Sequence, residues 1–152
     1  MGAGTLANAE GRIKSLFGPY VGVNFVTSGP SDFTLNVANA SPGHTGDLGH
    51  QTGWWIFQGT PVVHPNNITN FQARDPGWSM AYNNIIGTIG AHELLHRMGI
   101  GDLKPYDPNN PTDLMSLDVN PNFEKVLINN SLKLTQAEAK RLQTDCLEKH
   151  PE

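Results

Sequence analysis

The feature that most limits how this chain can fold is the run from Ser79 to Met98, which reads as one long helix. Ser79 is a suitable N-cap, and Ala81, Ile85, Ile89, His92 and His96 fall along one side at helical spacing. Gly99-Ile100-Gly101 supplies the stop signal.

The rest of the chain is punctuated more often. Residues 5–17 place Leu6, Ile13, Leu16 and Phe17 at near-helical spacing, and Gly18-Pro19 predicts the end of that helix. Val21, Val23 and Phe25 alternate with Gly22, Asn24 and Val26, which predicts a strand reaching about Thr27. After the turn signal at 28–31, Phe33, Leu35 and Val37 alternate with Thr34, Asn36 and Ala38 and predict a second strand. Residues 39–53 read as a Gly- and His-rich loop, 54–57 and 60–63 as short strands, and 65–78 as a polar loop. The segment 102–131 is proline-rich without sustained periodicity. Thr135-Gln136-Ala137-Glu138 is a capping box that opens a final helix, with Ala139, Leu142, Cys146 and Leu147 facing inward. This order predicts an α+β fold in one domain, 1–152.

With 152 residues, 38% of them hydrophobic, the chain can bury a true core. The net charge of −4 and the lack of a dense Lys/Arg cluster argue against nucleic acid as a partner. No apolar run approaches the ~20 residues of a membrane span. Cys146 is the single cysteine, so neither an intrachain disulfide nor a Cys-based zinc site is available.

The chemistry is concentrated on the long helix. His92 and His96 lie four residues apart, so they stand about 40° from each other around the axis and can face one ion. Glu93, turned about 100° from His92, sits beside that ion without ligating it. Two imidazoles with an adjacent carboxylate are what a zinc hydrolase uses: nitrogen ligands, plus a base that takes a proton from the attacking water. A third ligand is needed. Gly99 can adopt positive φ, end the helix sharply and return Asp102 to the metal. An ordinary amphipathic helix segment is the bland alternative for His-Glu-Leu-Leu-His, and Glu124 is the candidate third ligand of a different zinc class.

The string His92-Glu93-x-x-His96-x-x-Gly99-x-x-Asp102 resembles the extended motif of the metzincin clan of zinc peptidases. With Asp at the last position it is similar to the snapalysin type. The resemblance implies a metzincin-like twisted mixed sheet, with an active-site helix and a C-terminal helix. It also implies a methionine turn, for which Asp113-Leu114-Met115-Ser116 is suitably placed, Met115 forming an apolar floor under the ligands. The expected function is that of a zinc endopeptidase: one catalytic Zn2+ on His92, His96 and Asp102, Glu93 as general base, and a protein or peptide as substrate. A monomer without nucleic-acid or membrane partners is expected. Export, as a secreted enzyme or a delivered effector, is expected too, although Met1-Gly2-Ala3-Gly4 lacks a signal-peptide layout. The alternatives are a toxin domain from the C-terminus of a larger exported protein, and a metal- or peptide-binding module without turnover.

Other residues are less specific. His44, Asp47, His50 and His64 have types that suit an additional structural metal, but they read first as solvated loop residues or cleft lining. Tyr106 is a candidate oxyanion stabiliser and Tyr82 a weaker one, with packing as the alternative for both. Asn67-Ile68-Thr69 is one of three matches to the glycosylation acceptor pattern.

Overall fold

The computed structural model describes residues 3–31, 33–51, 60–72, 74–102 and 104–149. Its elements run α1 (Ala3–Phe17), β1 (Asn36–Val37), β2 (Gly49–Gln51), β3 (Pro61–Val63), α2 (Pro65–Gln72), α3 (Gly77–Arg97), α4 (Phe123–Ile128) and α5 (Gln136–Lys149). Two 3-10 turns, Pro42–His44 and Leu114–Val119, complete the set. The architecture is α+β with a small mixed sheet, in the order β1-β3-β2. β1 runs parallel to β3 with Val37 opposite Val63, and β2 runs antiparallel with His50 opposite Val62.

The long helix is the centre of the molecule. Ile85, Ile86, Ile89, Ala91 and Leu95 are all at most 1% exposed, and α1, α2, α4 and the sheet pack around them. An isoleucine buried this completely contributes roughly 1.5–3 kcal/mol, so the hydrophobic effect anchors α3 along much of its length. The helix begins two residues before the expected Ser79, because Asp75 Oδ1 accepts from Gly77 N at 2.7 Å and satisfies a free amide of the first turn. On α1, Ala9, Ile13, Leu16 and Phe17 are buried while Leu6 stays 38% exposed. Arg12 ties α1 to its neighbours through Thr88 Oγ1 at 2.9 Å and the Leu132 carbonyl at 2.7 Å.

The predicted strands are only partly realised. Val21, Val23 and Phe25 do turn inward against the core and Gly22, Asn24 and Val26 outward, yet 21–27 joins no ladder among the described residues. The same holds for Phe33 and Leu35; only Asn36 and Val37 pair. Alternation reports an extended backbone with one buried face, whereas pairing needs a neighbouring backbone in register. The strand expected at 54–57 lies outside the described residues.

Three segments expected to be loops are structured, one being 39–53, which carries the 3-10 turn Pro42–His44 and strand β2. Residues 65–72 form α2, with Pro65 at the first helical position, where its missing N–H is no loss, and Ile68 fully buried. Residues 102–131 contain the 3-10 turn at Leu114 and α4, whose Phe123 meets Phe71 edge-on, ring centroids 6.1 Å apart. Phe71 in turn stacks on the buried Trp78 at 4.6 Å. The final helix opens as expected: Thr135 Oγ1 accepts from Glu138 N at 3.2 Å, and Glu138 Oε2 from Thr135 N at 2.8 Å. Ala139 and Leu142 face the core; the Cys146 and Leu147 side chains lie outside the description.

Candidate metal centre

Gly99 performs the turn that the sequence requires of it. At φ 87° it sits in the left-handed region, its N–H bonding to His96 O at 2.9 Å and that of Ile100 to Leu95 O at 2.9 Å. This pair of bonds is the Schellman arrangement, which closes a helix and reverses the chain. Ile100 is buried behind the bend, and Arg141 of α5 donates to the Gly99 carbonyl at 2.5 Å. The reversal brings Asp102 back alongside the helix, with Oδ1 3.2 Å from His96 Nε2 and 3.6 Å from His92 Nε2.

The two imidazoles are held by backbone carbonyls. His92 Nδ1 lies 3.0 Å from Leu114 O, and His96 Nδ1 lies 2.9 Å from Ile100 O. A carbonyl only accepts, so both Nδ1 atoms carry the proton and both Nε2 lone pairs point inward. The Nε2 atoms are 3.1 Å apart. Ligands at about 2.0–2.1 Å from a tetrahedral zinc stand about 3.3 Å from one another, and the three separations here scatter around that value. Asp102 Oδ1 is buried without a hydrogen-bond partner. Two lone pairs and an orphaned carboxylate oxygen that face one another could hold a cation, and an N2O donor set is one that zinc accepts.

Titration reflects the same crowding. Burial, then the neighbouring His96, pushes His92 below the ordinary imidazole range. Burial also acts to lower His96, but the neighbouring Asp102 carboxylate outweighs it and the net shift is upward. The His96 imidazole, 3.2 Å away, holds Asp102 below its usual value. Glu93, 6% exposed, is raised to about 8, chiefly by burial.

Glu93 opens into a cleft of about 420 Å³ whose lining includes Gly49, Phe71, Ile89, Phe123 and Asp118. A Cβ at Gly49 would stand 2.9 Å from Glu93 Oε1 and 2.8 Å from Ile89 Cγ2, so strand β2 approaches the carboxylate closely because that position has no side chain. Asp113 Oδ1 accepts from Met115 N at 2.8 Å and shapes the turn that presents the Leu114 carbonyl to His92. Met115 in that turn is fully buried.

The remaining sequence candidates divide. Tyr106 is half-buried and does not line the cleft, and Tyr82 packs against the core. Glu124 sits 3.6 Å from Arg74, away from the two imidazoles, and does not serve as a third donor. Asn67 is 3% exposed and its amide donates to the His44 and Asp47 carbonyls at 2.7 and 2.6 Å, so it is no glycosylation acceptor in the folded chain. His44, His50 and His64 come together in a second group of potential ligands. The His50 and His64 rings are 4.8 Å apart, His44 and His50 stack at 3.8 Å, and His44 Nδ1 lies 2.8 Å from Asp47 Oδ2. Burial, then its two imidazole neighbours, lowers His50. Not read from the sequence were the Leu114 and Ile100 carbonyls, Asp118 in the cleft, and Arg141 on the bend. Backbone acceptors carry no residue signature, and Asp118 and Arg141 are remote in sequence from what they serve.

Comparison with protein-family models, curated proteins and solved structures gives no match for this chain.

Proposed function

We propose that the chain is a metal-dependent hydrolase and, more narrowly, a zinc endopeptidase of metzincin-like type. The observation that carries the reading is the convergence of His92 Nε2, His96 Nε2 and the orphaned Asp102 Oδ1 at mutual distances of 3.1–3.6 Å, beside a buried Glu93 that opens on a cleft. His92, His96 and Asp102 would hold the ion. When bound, zinc supplies Lewis acidity, polarising a carbonyl and lowering the pKa of a water.

The chain's own residues do the rest. Asp102 contributes one negative charge to balance the ion, and the carbonyls of Leu114 and Ile100 keep both imidazoles in the ligating tautomer. Glu93 takes the proton from the attacking water on its carboxylate and passes it to the leaving amine. Burial raises Glu93, and a nearby cation would bring it back toward the ionised form that can accept a proton. Met115, packed in the turn that presents Leu114 O, supports the ligands from beneath. The apolar lining from Phe71, Ile89 and Phe123 would receive a substrate side chain while polar backbone at Gly49 borders the base.

The test is metal analysis together with cleavage of a general peptide library, with and without chelator. Glu93→Gln should keep the metal and lose hydrolysis. Turnover that persists in Glu93→Gln, or that is indifferent to chelator, would overturn the reading.

A further inference from the structure

We propose that His44, His50 and His64 form a second divalent-metal site, structural rather than catalytic, with Asp47 as the charge that accompanies it. The proposal is independent of the peptidase reading. It rests on how three distant segments deliver their imidazoles to one place.

His44 ends the 3-10 turn Pro42–His44, His50 is central in β2, and His64 follows β3. Their ligand-capable nitrogens lie within 4.8 Å of one another. His64 is 2% exposed, and its Nδ1 lies 2.9 Å from the Ala38 carbonyl. Its Nδ1 therefore carries the proton and its Nε2 lone pair faces His50 Nδ1 at 2.6 Å. A ligating histidine is commonly oriented in this way, by a carbonyl on the far nitrogen. His44 is oriented in the other characteristic way, by the Asp47 carboxylate at 2.8 Å. Three imidazole nitrogens, with a carboxylate behind one of them, are a donor set for zinc rather than for calcium or magnesium, which take oxygen ligands.

The scaffold around the group is built to hold it. Asn67 on α2 donates to the His44 and Asp47 carbonyls, and Asn66 Oδ1 accepts from Ala40 N at 2.8 Å. Each bond fixes part of the 38–50 segment against α2 independently of the histidines. Packing three imidazoles face to face gives little in itself, since adjacent lone pairs and rings of one polarity repel unless a cation or shared proton sits between them. A bound metal would clamp the 3-10 turn to β2 and to the end of β3. Because β2 carries Gly49 against Glu93, the clamp would also hold that wall of the cleft.

The experiment is zinc stoichiometry on the full chain after dialysis, by elemental analysis, paired with thermal unfolding. The intact protein should hold two equivalents. The double variant His92→Gln/His96→Gln should keep one, with an X-ray absorption spectrum of imidazole ligation, and zinc should raise its Tm by about 5–10 °C. His44→Ala, at a partly exposed position, should drop the intact protein from two equivalents to one without loss of the far-ultraviolet helical signal. A double variant that binds no zinc, or a His44→Ala protein that still holds two equivalents, would overturn the proposal. One equivalent in both the intact protein and the double variant would support the second site and instead remove the catalytic one.

Discussion

The molecule carries two histidine groups, and they are built on opposite plans. In the helix-borne group, two imidazoles come from one turn of α3 and a third donor returns over a glycine bend six residues on. In the loop-borne group, three imidazoles come from a 3-10 turn, a strand and the residue after another strand, spread over 44–64. The first has its relative geometry set by the helix period before anything else folds. The second exists only when the sheet has closed and Asn67 has pinned the 44–47 backbone. A further contrast follows from burial. The helix-borne group sits next to a dry carboxylate on a cleft, whereas the carboxylate of the loop-borne group, Asp47, is half exposed and paired to His44. One arrangement suits chemistry and the other suits tethering.

The sharpest way to break this contrast is at Glu93. Glu93→Gln should lower turnover on peptide by about 10²–10⁴-fold while total zinc is unchanged, measured by initial rates and elemental analysis. A loss of less than tenfold would leave the two groups functionally indistinguishable. Next in size, Asp102→Ala should weaken zinc at the helix-borne group by at least about 10–100-fold in chelator competition, leaving the other equivalent in place.

A third test uses α5, whose Arg141 donates to the Gly99 carbonyl at the bend and whose Glu138 lies near Asp113. Glu138 is 5% exposed, and burial, reinforced by the nearby Asp113 carboxylate, raises its pKa to about 7 against an ordinary 4.5. A carboxyl raised on folding stabilises most below its unfolded pKa, and that contribution is lost as pH climbs through its folded value. The metal-free protein should therefore lose on the order of 2–3 kcal/mol from this group between pH 4.5 and 7. Glu138→Gln, which can keep the capping bond to Thr135, should flatten that part of the profile in denaturant titrations at each pH. An unchanged slope would mean that Glu138 is not the group that titrates in this range.

The smallest effect compares two glycines. Gly99→Ala forces a side chain into positive φ and should cost about 1–2 kcal/mol, seen as a Tm lower by a few degrees. Gly46→Ala in the loop meets nothing within 4 Å and should stay within about 0.5 kcal/mol. Equal shifts for both would mean that the bend is not what positions Asp102.

Legibility followed the same division. The long helix, expected over 79–98 and found over 77–97, its histidine pair, the Gly99 bend and the 135–138 capping box depend on contacts within about five residues, and all were readable to within a residue or two. The strand expectations for 21–27 and 33–38 identified the inward residues but overstated pairing, since side-chain alternation says nothing about which backbone lies alongside. Residues 65–72 looked too polar for a helix. Their asparagines turned out to be working inward, Asn67 as a buried donor and Asn66 as an acceptor, while Ile68 supplied the apolar anchor.

What the sequence determined alone was local and periodic: which residues share a face of α3, where that helix must stop, and which pair of side chains caps the start of the last helix. The tertiary structure decided the rest. It chose the carbonyls of Leu114 and Ile100 that orient the two imidazoles, seated Gly49 against Glu93, and gathered His44, His50 and His64 from three elements. The reason is range: a helix repeats its geometry every few residues through its own hydrogen bonds, whereas convergence of distant segments depends on how the whole core closes.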